Sequence, residues 1–105
     1  MSVRELTDKD FTEAEKSDKA IAKFHADWCG PCQMLKPTYL EVAEKVKGVD
    51  FFSINVDNAP ETSEKYGVMS VPTMIIFEKG KEKDRIVGAL NAETLEGEIK
   101  KKFGA

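Results

Sequence analysis

Trp28-Cys29-Gly30-Pro31-Cys32 decides the reading of this chain. Cys29 and Cys32 are its only two cysteines, and two residues separate them. A dithiol this close can open and close as a disulfide with little movement of the backbone. An apolar run, Ala20-Ile21-Ala22-Lys23-Phe24, precedes it, and a helical pattern follows from near Gln33. A cysteine at a helix start meets unpaired backbone N–H groups and the positive end of the helix dipole. Both favour a thiolate, the attacking species in disulfide exchange.

Two plainer readings stand beside this one. The pair can be a stabilising staple, but the chain-entropy model gives only ~2 kcal/mol for so short a loop. It can also be half of a zinc site. Structural zinc takes four ligands, commonly from two Cys/His pairs. His25 is the only histidine, so a carboxylate such as Asp27 or Asp57 has to complete the set. On this count no metal is expected.

The chain has 105 residues, 41% hydrophobic and 33% charged, which suits one soluble domain, residues 1–105, around one modest core. No apolar run approaches the ~20 residues of a membrane span, so no membrane partner is expected. Met1-Ser2-Val3-Arg4-Glu5 lacks the apolar centre of a signal peptide. A cytoplasmic location is expected, and there a Cys-x-x-Cys pair cycles rather than staying oxidised. The net charge of −3 leaves no footprint for nucleic acid. The basic run Lys100-Lys101-Lys102 reads as cations complementing a helix C-terminus.

Outward from the dithiol, apolar spacing predicts strands over Val3–Leu6, Ala20–Ala26, Val49–Val56, Thr73–Phe77 and Glu82–Val87. Helices are predicted from just after Thr7 or Asp8 through Phe11 to about Lys16, over Pro31–Lys47 with Pro37 inside it and expected to kink it, over Pro60–Tyr66, and from Asn91 or Thr94 through Phe103. Thr7 or Asp8 is the candidate cap of the first helix. Gly97 is a poor interior residue for the last. The order β-α-β-α-β-α-β-β-α implies parallel pairing first and an antiparallel hairpin at the end. The fold class is α/β: a central mixed five-stranded sheet flanked by four helices in three layers. The dithiol then falls at the carboxyl end of a central strand, where open α/β sheets place their chemistry.

Nearly the whole chain resembles the thioredoxin family. The matching residues are Trp28-Cys29-Gly30-Pro31-Cys32, Pro37, Asn55-Val56-Asp57, Tyr66-Gly67-Val68, Val71-Pro72-Thr73, Gly80 and Gly88-Ala89-Leu90. The resemblance implies a thioredoxin fold and a protein-disulfide reductase that carries electrons without a bound cofactor, its redox centre being the Cys29–Cys32 pair. Cys29 is then the exposed nucleophile that forms a mixed disulfide, and Cys32, more buried, resolves it. Gly30 and Pro31 set the geometry and reducing poise. Pro72 is cis and faces the sulfurs, while Val71 pairs its backbone with an extended substrate segment. Trp28 and Gly88 contribute to substrate contact, and Asp57 supports the Trp28 indole. The implied partners are disulfide-containing target proteins and a thioredoxin reductase, usually a flavin enzyme using NADPH; a monomer is expected. Two other readings remain open: a specialised relative with a dedicated partner or reductase, and a binding subunit whose redox turnover is incidental.

The chain departs from the family at one place. The family usually carries a buried Asp at the position of Lys23 and often a Lys at the position of Ser53, so the charge is reversed here. Lys23 and His25 share strand parity and so one face. A buried Lys23 becomes easier to deprotonate, and its neutral amine can act as a base. A charged one stabilises a nearby thiolate. His25 is the alternative base, imidazole being the side chain that changes charge near neutral pH. In a plainer reading both pack, or reach a carboxylate such as Glu41. No local carboxylate replaces the family's acid, Asp27 being four residues away.

Overall fold

In the computed structural model, which describes residues 3–104, the predicted apolar stretches pair into one five-stranded sheet. The elements are β1 (Val3–Leu6), α1 (Thr12–Lys16), β2 (Lys19–His25), α2 (Gly30–Lys45), β3 (Asp50–Asn55), α3 (Pro60–Lys65), β4 (Thr73–Glu78), β5 (Lys81–Val87) and α4 (Ala92–Lys102), with one 3-10 turn at Val56–Asn58. Across the sheet the strand order is β1-β3-β2-β4-β5. β3 pairs in parallel with β1 and β2. β4 runs antiparallel to β2, and β5 antiparallel to β4. β2 is therefore the central strand, and the chain leaves its carboxyl end directly into the Cys-x-x-Cys segment.

Strand alternation sorts the core into two layers. Ile21, Phe51, Met74 and Ile76 point to one face, where Leu35, Tyr39 and Val42 of α2 and Leu95 and Ile99 of α4 cover them. Ala20, Ala22, Phe24, Phe52, Ile54, Ile75 and Phe77 point to the other and pack with Phe11 and Ala14. Because β2 is covered on both faces, it reads as a nearly continuous apolar run. Lys23 is the charged residue that interrupts it. Among the described residues no helix is long and apolar enough to cross a membrane.

Most element limits move by one or two residues from the sequence reading. β2 begins at Lys19 and ends at His25, α2 spans Gly30–Lys45 rather than Pro31–Lys47, and β3 spans Asp50–Asn55. α2 runs unbroken through Pro37. Asn91 caps α4, its side chain accepting from the Thr94 N–H.

The capping of α1 is corrected. Neither Thr7 nor Asp8 caps it; Phe11 stands at its N-cap without a side-chain bond. Asp8 reaches 53 residues along the chain instead. Its carboxylate accepts from the Glu61 N–H at 3.1 Å, the Thr62 N–H at 2.8 Å and the Thr62 hydroxyl at 2.7 Å. These N–H groups open α3, so a side chain that reads as a local cap serves a distant helix. On the same flank, the hydroxyl of Tyr66 donates to Glu15, tying the end of α3 to α1.

The turn between β4 and β5 carries positive φ at both Lys79 (52°) and Gly80 (82°), as a two-residue hairpin turn of the right twist requires. A Cβ at Gly80 also lands 2.6 Å from the Glu15 backbone oxygen. Gly97 is the opposite case: it lies exposed on α4 with open space around it. Gly97→Ala should stabilise the protein by about 0.5–1 kcal/mol, whereas Gly80→Ala should destabilise it by more than about 1 kcal/mol. Urea unfolding at pH 7 measures both, and equal effects of one sign would refute the contrast.

The Asp8 cap makes a pH-dependent prediction. Burial raises its proton affinity, but the Thr62 and Glu61 hydrogen bonds outweigh that and hold its carboxyl below the usual range. A carboxyl with a depressed folded-state pKa adds stability above its unfolded value, near ~3.9, and loses it as pH falls through the folded value. Asp8→Ala should therefore lower the urea midpoint at pH 7, with the gap to wild type narrowing as pH falls below the unfolded value and through the lower folded one. A gap independent of pH would remove the charged cap from the account.

Candidate redox site

The site is built where β2 gives way to α2. The Cys29 N–H bonds the Ala26 carbonyl at 3.2 Å, which turns the chain out of the sheet. Cys29 then takes the extended N-cap conformation (φ −97°, ψ 114°). Gly30 and Pro31 fill the first two helical positions, where the missing proline N–H leaves no bond unmade. With this geometry the Cys32 N–H points back and donates to Cys29 Sγ at 3.2 Å. One backbone donor that every helix start leaves free is thus aimed at the first sulfur, where it stabilises negative charge.

A second wall comes from the loop before β4. The Val71–Pro72 peptide is cis, and Cys29 Sγ lies 3.6 Å from the Val71 carbonyl as a donor. The Gly88 N–H donates to the Pro72 carbonyl at 2.9 Å, so the ends of two antiparallel strands fix that loop. Ala26, Cys29 and Cys32 form a small apolar cluster with Val56 and Val71 against it. The third side is Trp28, whose indole N–H donates to Asp57 at 3.1 Å while 71% of the residue stays exposed. Asn55, at the end of β3, accepts from the Asp57 N–H at 2.9 Å and sets the turn that presents this carboxylate.

Trp28, Cys29, Gly30, Pro31, Cys32, Asp57, Val71, Pro72 and Gly88 therefore converge. One expectation about them needs correcting. Cys29 is not exposed: it retains 6% of its accessible surface, against 3% for Cys32. Its sulfur is turned inward by the Cys32 N–H and the Val71 carbonyl. The two sulfurs differ in bonding rather than in exposure. Burial, and then the hydrogen bond to Cys29, push the Cys32 thiol up to about 11, with Lys23 pulling the other way. Sequence reasoning also passed over Met69, two residues before Val71, which is 94% exposed. An isolated Met in a loop carries no periodic signal, so only the fold marks it. No group of three or more His, Cys, Asp or Glu side chains converges as a metal site among the described residues.

The thioredoxin family model matches residues 2–101. The chain belongs to the thioredoxin family. It is 40% identical over 96 residues to the thioredoxin of Staphylococcus aureus, covering 90% of this chain and 92% of that protein. A chloroplastic M-type thioredoxin of Brassica napus is 46% identical over 88 residues, 82% of this chain and 50% of that protein. The chain spans about half the length of the plant relatives it matches. A solved structure of Malassezia sympodialis thioredoxin superposes with a TM-score of 0.85 at 27% identity, over 95% of this chain and 90% of that one. The family is one of thiol–disulfide oxidoreductases, and the redox-active pair of its motif falls on Cys29 and Cys32.

Against that family pattern, Lys23 is buried in β2 at 3% exposure. Its Nζ lies 4.9 Å from the Tyr39 ring centroid, within range of a cation–π contact. Burial makes its ammonium easier to deprotonate; Glu5 opposes this, Lys36 adds to it, and Cys32 opposes it. His25 does not join the sulfurs. Its Nε2 lies 3.2 Å from Glu5 Oε2. The carboxylate these side chains reach is neither Asp27 nor Glu41 but Glu5 from β1. Strand pairing brings it in, and a local reading of the Lys23 segment cannot see pairing. Replacing a cation by an anion beside the second sulfur should raise the proton affinity of Cys32 further. Lys23→Asp should therefore shift the Cys32 titration upward from about 11, read by thiol-specific NMR; superimposable curves would make Lys23 a packing residue only.

Proposed function

We propose that this chain is a protein-disulfide reductase that works as a two-electron carrier, with Cys29 as nucleophile and Cys32 as resolving residue. The observation that carries the assignment is the asymmetry of the pair. Cys29 Sγ receives the Cys32 N–H at the helix start, whereas the Cys32 thiol is strongly held to its proton. In the first step the Cys29 thiolate attacks one sulfur of a substrate disulfide. A bond forms from Cys29 to that sulfur, the substrate S–S bond breaks, and the departing thiolate takes a proton. In the second, Cys32 loses its proton and attacks Cys29 Sγ, so that the Cys29–Cys32 disulfide forms and the second substrate thiolate leaves. Two electrons pass to the substrate.

The Val71 backbone, beside Cys29, suits pairing with an extended substrate segment, as strand addition does. Trp28, Pro72 and Gly88 frame that segment, and Asp57 holds the Trp28 indole. Gly30 and Pro31 keep the helix start that aims the Cys32 N–H. We place the protein in the cytoplasm as a monomeric single domain, on the ground that a dithiol built to cycle works in a reducing compartment. A thioredoxin reductase restores the dithiol. Insulin reduction driven by an NADPH-linked and by a ferredoxin-linked reductase, run in parallel, identifies the donor.

The assignment of roles has a direct test. Cys32→Ser should accumulate mixed disulfides with a disulfide-bearing target through Cys29, and Cys29→Ser should accumulate none. Trapping by Cys29→Ser at comparable yield would reverse the roles.

A further inference from the structure

Strand register places Glu5 opposite Ser53, and Ser53 opposite Lys23. The three side chains form one row across β1, β3 and β2. They lie on the face covered by α2, which also carries Cys32. Ser53 is the small member of the row, and its hydroxyl, with the Asn55 backbone, supports the Glu5 carboxylate. The long Glu5 and Lys23 side chains flank this small residue, and the Glu5 charge acts on Lys23. Glu5 keeps 53% of its side-chain surface in solvent, whereas Lys23 is almost wholly buried. The row thus runs from water at the sheet edge to the resolving sulfur in the interior.

The surroundings of Lys23 decide what the row does. From α2 it meets Cys32, the repelling Lys36 and the Tyr39 ring. The Tyr39 hydroxyl is already committed to the Phe52 and Ile21 carbonyls, at 2.7 and 3.1 Å. From β4 the neighbour is Met74, which is apolar. On β2 itself, His25 is engaged with Glu5. Glu5 is the carboxylate that acts on this ammonium.

We propose that Glu5 is a positioning residue of the exchange reaction: from the edge strand it holds Lys23 as the ammonium ion near Cys32, so that the resolving sulfur ionises beside a cation. This rests on the assignment of Cys32 as the resolving residue. In the resolving step Cys32 releases its proton to water, and its electron pair forms the bond to Cys29 Sγ. The Cys29–substrate bond breaks, and its pair leaves on the substrate sulfur. Lys23 keeps its own proton throughout and acts through its charge. Where the family has an acid inside the sheet, this chain has a base inside and an acid at the rim.

The test is a pair of titrations of the reduced full-length protein, with cysteine Cβ and lysine Cε carbons labelled for NMR. Glu5→Gln is made in the wild-type and in the Lys23→Met backgrounds. Removing an anion near a thiol lowers its titration midpoint if it acts directly. Acting through Lys23, the same change does the reverse, because a more readily neutralised lysine no longer favours the thiolate. Glu5→Gln should therefore lower the Lys23 midpoint and raise that of Cys32 by about half a unit, roughly threefold in proton affinity. In the Lys23→Met background it should leave Cys32 unchanged or slightly lower. His25→Gln, which removes the imidazole partner of Glu5 and leaves Lys23 in place, should leave Cys32 at its wild-type midpoint. Glu5→Asp, which keeps the charge, should restore most of the shift. Amide spectra at each pH keep the comparison to folded protein. A Cys32 shift of the same size in both backgrounds, or none with Lys23 present, overturns the proposal. Mixed-disulfide trapping by Cys32→Ser tests the resolving role separately, so failure of that role and failure of the Glu5 proposal are distinguishable.

Discussion

The hydrogen bond from the Cys32 N–H to Cys29 Sγ is the contact around which the molecule is arranged. A sulfur accepts such a bond only if its residue is extended while the next two already follow the helix. Cys29, Gly30 and Pro31 meet that condition. The strand before them must also end in the middle of a sheet, so that the helix start is flanked rather than exposed. β2 is central and covered on both faces, and its carboxyl end meets the Val71–Pro72 loop from β4 and the Asp57 turn from β3. The sheet order is therefore part of the redox site. An edge position for β2 would remove one wall of it.

The same arrangement separates the two sulfurs chemically. They sit three residues apart with nearly equal burial, and each meets a backbone group, the Cys32 N–H at Cys29 and Ala26 at Cys32, yet Cys32 is the one pushed up. Burial and the bond to Cys29 push Cys32 up, and the Ala26 backbone opposes this without outweighing it. Buried charges are costly unless paired or hydrogen-bonded. The chain meets that cost at Cys29 with the Cys32 N–H and at Cys32 with the Ala26 backbone and a side chain, Lys23.

How much of this the sequence discloses depends on whether the signal is local. The dithiol, the helix that follows it, the five strands and the Asn91 cap all rest on residues within a few positions of one another, and each is found within a residue or two of where periodicity, turn and capping signals place it. Asp8 and Glu5 are different. Asp8 sits three residues before Phe11 and reads as a cap for α1, but its partners are Glu61 and Thr62. Glu5 lies 18 positions before Lys23, and only the β1-β3-β2 pairing sets the two in one row. Capping preference and strand parity say what a side chain can do. Which of several equivalent groups it meets is decided by topology. The accessibility of Cys29 fails for a related reason, since a helix-start residue is exposed only when no neighbouring loop closes over it.

A lysine inside a sheet is an expensive replacement for an acid, and its tolerance here has a physical basis. The four-carbon stem is apolar and buried with the rest of the residue, so only the terminal charge needs compensation. That charge lies near the Tyr39 π-face, faces Glu5 along the sheet, and gains a further anion whenever Cys32 ionises. Compensation is thus greatest in the state through which resolution passes. An acid at the same place would favour loss of the Cys32 proton by accepting it. A base favours the same loss by stabilising what remains. Both satisfy one requirement of the fold, that the resolving sulfur, buried and strongly held to its proton, should not face its ionisation with the Ala26 backbone alone.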